Sequence, residues 1–236
     1  ISLGLVGSEM CIRDRSDLID KLTKIKDLKR IRYTTSHPIN MDDELIDLHS
    51  NNKKLMPFLH LPVQSGSSKI LKMMNRKYDV EFYRDIIFKI RDKSPNIEIS
   101  SDFIIGYPGE SEQDFINTLD LIDDIKFTQS YSFIYSARPG TKSAMIEDNL
   151  TKKVKSERLK ILQSKLTEIQ HDFNKTHVGK KTSVLIENQS ATNPEYYFGR
   201  TPYMQSVYIK SNNLINGEEK DIKITSCNHK SLYGTC

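Results

Sequence analysis

The chain has 236 residues, 37% of them apolar and 28% charged, which suits one medium or two small globular domains and excludes a low-complexity polymer. No apolar run approaches the ~18 residues that read as a membrane-spanning helix, and 35 Lys+Arg against 31 Asp+Glu leave a net charge of +4, which permits contact with RNA without demanding it. The three cysteines, Cys11, Cys227 and Cys236, stand too far apart for a disulfide framework or a metal knuckle.

Ile1 to Arg15 has no basic start, its apolar run is broken by Gly4 and Gly7, and it ends in charges, so it is not a signal peptide. It resembles a translated sequencing adaptor. Residues 1–15 are therefore set aside from the fold, and the chain is expected to begin mid-protein. From Asp17, the residues Leu18, Ile19, Leu22 and Ile25 recur at helical spacing. Arg30 to Thr35 is β-branched and aromatic, a strand ending at Ser36-His37-Pro38. Met41 to Ser50 reads as a short helix with Asn40 as N-cap. Phe58 to Leu61 is a strand, Ser67 to Met74 and Val80 to Lys93 are helices, and Ile97 to Ile105 is one buried strand. Ser111, with Asp114 three residues on, caps a helix to Ile125, and Gln129 to Tyr135 is the last strand of the series. Strand alternating with helix implies an α/β unit with a parallel sheet and right-handed crossovers. Four strands are too few to close a barrel, so residues 16–150 are expected to form a partial β/α barrel.

Thr151 to His177 carries Leu159, Leu162, Leu166, Ile169 and Phe173 at spacings of three and four, an amphipathic linker helix (residues 151–178) whose stripe reads as core packing rather than a partner zipper. After Val178-Gly179 the period changes from 3.6 to 2. Thr182 to Glu187, Tyr196 to Thr201, Gln205 to Lys210, Asp221 to Ser226 and Leu232 to Cys236 read as five short strands. Five strands in residues 179–236 suggest a small all-β barrel resembling an OB-fold, a shape often used for nucleic acid.

Three strand ends carry the chemistry. In a parallel β/α barrel such turns lie together on one face, where sites are built, so one composite pocket is expected. Gly106-Tyr107-Pro108-Gly109-Glu110 precedes the capped helix, where glycines admit a ligand to the backbone and a helix N-terminus favours an anionic group; alone it could be a plain turn. Asp102, inside an apolar strand, is expected to be a buried carboxylate needing a partner, whether ligand or neighbouring loop. Gln64 and Ser65 suit a polar small molecule, although Ser-Gly is also an ordinary turn dipeptide. Arg138 would bind carboxylate or phosphate bidentately, or be a solvated loop residue. His37 and His60 read as structural. In the small barrel, Lys180, Lys181, Arg200, Lys210 and Lys223 lie among Tyr196, Tyr197, Phe198, Tyr203 and Tyr208. Cations can meet phosphates while rings stack on bases; alternatively the rings fill the barrel.

The strings HLPVQSGS (from His60), MMNRKY (from Met73), SSDFIIGYPGE (from Ser100) and YSFIYSARPGT (from Tyr131) resemble the methylthiotransferase branch of the radical S-adenosylmethionine (SAM) enzymes, from about Asp17 to the end. Gln64-Ser65-Gly66 and Ser100-Ser101-Asp102 resemble the members that convert N(6)-isopentenyladenosine at position 37 of tRNA to its 2-methylthio form. Relatives acting on a ribosomal protein usually have His-Ala after the Gln, and those acting on threonylcarbamoyladenosine have Thr-Thr-Asp. The resemblance implies an N-terminal cluster-binding domain, a radical SAM barrel and a C-terminal TRAM domain. It implies SAM and [4Fe-4S] clusters as cofactors, the cluster cysteines lying outside this chain, so that the chain alone is expected to be inactive. It further implies tRNA and a reductant such as flavodoxin or ferredoxin as partners, and a monomer in the cytoplasm. By resemblance, Gln64, Ser65, Asp102 and the Ile104 to Gly106 backbone line the SAM pocket, with Arg76 and Arg138 near its rim. Three alternatives stay open: an inactive RNA-binding remnant, a methylthiotransferase with one of the other substrates, and an ordinary β/α-barrel metabolic enzyme.

Overall fold

A computed structural model describes residues 8–34, 37–190, 193–211 and 213–236. The first helix, α1 (Ser8–Thr23), begins inside the stretch set aside as adaptor-like, of which residues 1–7 lie outside the described ones, and buries Ile19 in the core. The strand expected from Arg30 is reduced to two parallel bridges, Ile31 with Leu55 and Thr34 with His60; Thr35 and Ser36 lie outside the described residues. The helix expected from Met41 starts later, as α2 (Asp43–Asn51). Its N-cap is Asp42 rather than Asn40, because the Asp42 carboxylate accepts from Leu45 N at 2.8 Å while Asn40 closes a 3₁₀ turn.

Next come β1 (Phe58–His60), α3 (Ser68–Met73) and α4 (Val80–Lys93). The single strand expected over Ile97 to Ile105 is broken at Ser101 into β2 (Glu98–Ser100) and β3 (Asp102–Ile105). Serine side chains take over the ladder there: Val63 N donates to Ser101 Oγ at 2.9 Å and Ser101 N to Ser130 Oγ at 3.0 Å. β2 pairs in parallel with β1, and β3 in parallel with β4 (Tyr131–Ile134). A bridge from Gln64 to Phe103 continues the pairing between the two halves. Between β3 and β4 lies α5 (Glu112–Ile125), which carries the expected Ser111–Asp114 capping box.

Alternation sorts the strand residues. Leu59, Leu61, Val63, Ile99, Phe103 and Ile105 are buried in the main core. Their neighbours His60, Gln64, Ser100, Asp102 and Ile104 take the other face, in register with Tyr131 and Phe133. Gly66 sets the approach of α5, because a Cβ there would lie 2.5 Å from Asn117 O and Thr118 Cα. Gly66→Ala is expected to destabilise the fold by about 1–3 kcal/mol. An unchanged melting temperature would show that α5 withdraws without loss.

The linker helix α6 (Lys152–Lys175) sends Leu162 and Leu166 into the main core, so its stripe is core packing. It leads to five strands where the alternation put them: β5 (Lys181–Gln189), β6 (Tyr196–Arg200), β7 (Ser206–Lys210), β8 (Glu219–Cys227) and β9 (Ser231–Thr235). They close a barrel in the order β5-β6-β7-β9-β8, filled by Val184, Ile186, Val207, Ile209, Ile222, Ile224 and Leu232. Two arginines bind the barrel to the sheet. Arg30 pairs with Glu219 and donates to Arg200 O at 2.8 Å; Arg32 donates to Thr201 O at 2.8 Å and Pro202 O at 2.9 Å. Gln129 Nε2 adds a bond to Tyr203 O at 2.7 Å.

Candidate functional site

At the C-terminal ends of the parallel strands lies an open cleft of about 1070 Å³, to which all three turns contribute: Gln64 from the first, Tyr107 from the second, and Ser136, Arg138 and Thr141 from the third. Arg76, Ile104 and Tyr135 also line it. Gln64 has φ 77° and Asn75 φ 58°, left-handed values that cost a side-chain-bearing residue on the order of 1–2 kcal/mol. The ladder holds Gln64 there: its N–H donates to Asp102 O at 3.0 Å and its carbonyl accepts from Ile104 N at 2.9 Å. Such strain gathers where a site is pre-shaped.

The Gly106 turn is braced from behind. Gly106 has φ +72°, and a Cβ on it would come within 2.7 Å of the Lys155 side chain. Its N–H donates to Glu110 Oε2 at 3.1 Å, and Glu110 Oε1 accepts from Arg158 Nη1 at 2.7 Å. Burial pushes the Glu110 carboxyl up, while Arg158 and the Gly106 N–H pull it back. In one wall of the cleft, the rings of Tyr107 and Tyr135 meet edge-on at 4.9 Å, and Tyr107 Oη donates to Met73 O at 2.9 Å. Two polar atoms of cleft-lining residues, Tyr135 Oη and Arg76 Nε, are buried with no hydrogen-bond partner among the described residues. Orphans of this kind mark a place where a polar ligand would complete the bonding.

The outside of the small barrel carries a second arrangement. Phe198, Tyr208 and Tyr233 stand in register on β6, β7 and β9, with centroid spacings of 5.5 and 5.8 Å. The Arg200 guanidinium lies 5.1 Å from the Phe198 ring. Tyr208 and Tyr233 stack at 22° while Phe198 meets Tyr208 edge-on at 64°, so the ladder offers a two-ring stacked face flanked by a tilted ring and a cation, an exposed arrangement on which unpaired bases can stack.

The family profile of the Radical SAM superfamily matches residues 5–122, and that of the TRAM domain matches residues 175–236. The chain belongs to the radical SAM superfamily. Its TRAM match begins at Lys175, the last residue of α6, and covers the closed barrel. Among curated relatives, a Rickettsia felis protein named tRNA-2-methylthio-N(6)-dimethylallyladenosine synthase is 51% identical over 220 residues, 93% of this chain and 49% of that protein. A Rickettsia canadensis protein of the same name is 52% identical over the same shares. The chain thus spans about half the length of the curated relatives it matches. Among solved structures, coproporphyrinogen III oxidase from Escherichia coli, described as a radical SAM enzyme, aligns over 79% of this chain and 51% of its own at a TM-score of 0.51 and 15% identity, a likeness of fold.

Of the residues expected in one pocket of the radical SAM unit, the structure brings Gln64, Arg76, Ile104 and Arg138 together. Ser65 is not among the lining residues. It is 1% exposed, 3.5 Å from Thr118 Oγ1, and accepts from Ser67 N at 3.2 Å. Gly106 sits behind the lining, against Lys155. Asp102 is not the buried carboxylate expected: its side chain is 28% exposed on the open face, 3.5 Å from His60 Nε2. The Ser100 hydroxyl donates to Gln129 O at 3.0 Å, so it accepts from His60 Nδ1 at 2.9 Å, which fixes a proton on that nitrogen. Sequence reasoning missed Tyr135, although the period-2 pattern of β4 puts it on the face of Phe133, and missed the bracing Arg158, for which no local signal exists.

In the TRAM domain the rings divide. Tyr197 packs against the barrel core and Tyr203 packs against Phe173 and His177 of the linker helix and its end. Tyr233, not singled out in the sequence, completes the outer ladder. Lys180, Lys181 and Lys223 are exposed, the last two directly opposite on β5 and β8, whereas Lys210 lies 3.5 Å from Glu195. Arg200 alone of the five cations joins the aromatic ladder. Among the described residues no three His, Cys, Asp or Glu side chains come together to hold a metal ion, and Cys227 and Cys236 are free thiols. No helix among them is long and apolar enough to cross a membrane.

Proposed function

We propose that the chain supplies the cofactor cleft and the RNA-binding domain of a methylthiotransferase that converts N(6)-isopentenyladenosine at position 37 of tRNA to its 2-methylthio derivative. The observation that carries this reading is the cleft at the strand ends, with its two orphaned polar atoms, in a chain whose relatives bear that name. SAM fits the donor set, and when bound it supplies the radical and group-transfer chemistry. In this reading Arg76 and Arg138 would hold its carboxylate, Tyr135 Oη and Gln64 would bond its polar groups, and the Tyr107–Tyr135 pair would keep water from one wall, supported by their shared lining of the cleft. The described residues do not fit an iron–sulfur cluster, which takes clustered thiolates. Anaerobic reconstitution of this chain with iron and sulfide is expected to yield no cluster; a stable brown species at one cluster per chain would overturn that. A flavodoxin- or ferredoxin-like reductant, a cytoplasmic setting and a monomeric state belong to the same reading.

The decisive assay uses the full-length protein, reconstituted and reduced, with SAM and tRNA bearing N(6)-isopentenyladenosine. Mass spectrometry is expected to find the 2-methylthio nucleoside. Product only on threonylcarbamoyladenosine tRNA, or on a ribosomal protein, would move the reading to that substrate. The aromatic ladder also favours a second reading of this chain by itself, an RNA-binding module. Tyr208→Ala removes the central ring, and at about 1–3 kcal/mol per stacked base the affinity for single-stranded RNA is expected to fall roughly 5- to 100-fold with little change in melting temperature. Wild-type binding is expected to weaken steeply with salt; affinity indifferent to salt would sink the electrostatic part.

A further inference from the structure

The inner part of the sheet's open face and the TRAM turn at residues 201–205 enclose a second cleft, of about 430 Å³, lined by Arg32, Tyr33, His60, Gln129, Tyr131 and Arg200 among others. We propose that this interdomain cleft is a phosphodiester pocket, which takes one internucleotide phosphate of a bound RNA strand on Arg32 and Arg200 and a neighbouring base against Tyr131. The proposal deepens the RNA-binding reading above and rests on it.

The charge balance points this way. Three arginines converge where the two domains meet. Arg30 is neutralised by Glu219, and Arg200 lies 3.8 Å from Glu187. Arg32 forms no ion pair among the described residues. Its Nη2 is occupied by the carbonyls of Thr201 and Pro202, and its Nη1 is buried without a partner. Burial, then Arg30 and Arg200, draw the Arg32 pKa down to about 10, with Glu187 pulling the other way by less, so burial and like charge outweigh the nearby acid. A phosphate would relieve both the missing bond and the missing charge. Asp102 lies outside the lining and faces His60.

Shape and backbone agree. The volume falls in the range of about 300–1,000 Å³ usual for small-ligand sites. Tyr131 offers a ring that is 62% exposed. Gln129 (φ 50°) and Met204 (φ 64°), both in the lining of this cleft, are left-handed, as are Gln64 and Asn75 in the lining of the first. Arg200 joins the cleft to the aromatic ladder, since its guanidinium also lies 5.1 Å from the Phe198 ring. A strand lying along the ladder would therefore pass Arg200, one of the two arginines that line the cleft.

The test titrates the whole chain with an RNA hexanucleotide, 5′-AMP and adenosine, by calorimetry and NMR. The hexanucleotide is expected to bind, with adenosine at least tenfold weaker. Arg32→Gln is expected to lower hexanucleotide affinity about tenfold or more. It should also reduce the slope of log K against log salt by about 0.7, the signature of one lost contact on a single strand, which a merely structural effect would not produce. Because Arg32 also holds the turn, Tyr131→Ser provides an independent arm: its side chain is exposed, and it should bind severalfold more weakly with an unchanged melting temperature. Hexanucleotide affinity and salt slope unchanged in both variants would overturn the proposal, as would 5′-AMP binding tighter than the hexanucleotide, which would make the pocket one for free nucleotides. Failure of the wild-type chain to bind RNA would sink the RNA reading itself; binding lost in Tyr208→Ala but kept in both cleft variants would sink only this inference.

Discussion

Replacing Arg158 by alanine is expected to destabilise the protein by about 3–5 kcal/mol at neutral pH, the cost of leaving a buried ion-pair partner alone. The Arg158 and Glu110 side chains are 6% and 2% exposed and 2.7 Å apart. Arg158 also lies 5.3 Å from the Phe115 ring and reaches Glu112. Without it, the Glu110 carboxylate has no counter-charge, and the Gly106 turn that it holds loses its brace to α6. The loss should depend on pH. Burial already holds the Glu110 carboxyl above its ordinary value of 4.5. A raised carboxyl contributes stability that is present in full below the unfolded value and is lost as pH rises through the folded one. Removing Arg158 raises the folded value further, so the deficit should be largest at neutral pH and shrink on acidification. Urea denaturation at acid and neutral pH reads this directly. Glu110→Gln added to Arg158→Ala should recover part of the loss, because the amide oxygen still accepts the Gly106 N–H. A deficit of equal size at both pH values would show that packing, not charge, holds the turn.

Asp102→Asn in the full-length enzyme is expected to cut turnover about tenfold or more while leaving the melting temperature unchanged, if a charge-assisted bond of roughly 1.5–3 kcal/mol is lost. Asp102 stands one strand position inward of Ile104 on the open face, between the two clefts. Its main-chain carbonyl, which holds Gln64, is untouched by the substitution. Its side chain is partly solvated and its one ion-pair contact among the described residues is His60 at 3.5 Å, so the isosteric amide has little to disturb. A scaffold role makes the opposite forecast: a lower melting temperature with turnover per folded molecule intact. Normal turnover by a fully folded Asp102→Asn protein would show that the Asp102 carboxylate, which lines neither cleft, takes no part in the proposed reaction.

Much of the fold was legible because it is written in local periods. The change from 3.6 to 2 after Val178-Gly179 separates linker helix from closed barrel, and each of the five strands stands where alternation put it. The Ser111–Asp114 capping box marks its helix because both partners lie within one turn. Where local signals compete, the reading slipped. Asn40 and Asp42 are both good caps, and only packing decides that α2 begins after the second. Ile97 to Ile105 is apolar enough for one strand, but Ser101 and Ser130 divert its ladder.

The site divides along the same line. By itself the sequence determined that three polar turns follow three parallel strands, which places them on one face, and that the strings around Gln64, Asp102 and Arg138 belong together. Only the tertiary structure decided which neighbour in each turn meets the cleft. A left-handed Gln64 enters it while Ser65, one residue on, packs against Thr118. Alternation defines two faces of a strand but not which of them the rest of the chain covers, so it does not show that Asp102 lies on the open face. Nor does it reveal charges balanced from afar: Glu110 meets Arg158 across 48 residues, and Arg32 comes to rest beside Arg30 and Arg200 with no ion pair among the described residues because two domains dock there. Periodicity is a property of neighbours in the chain; burial and charge compensation are properties of neighbours in space.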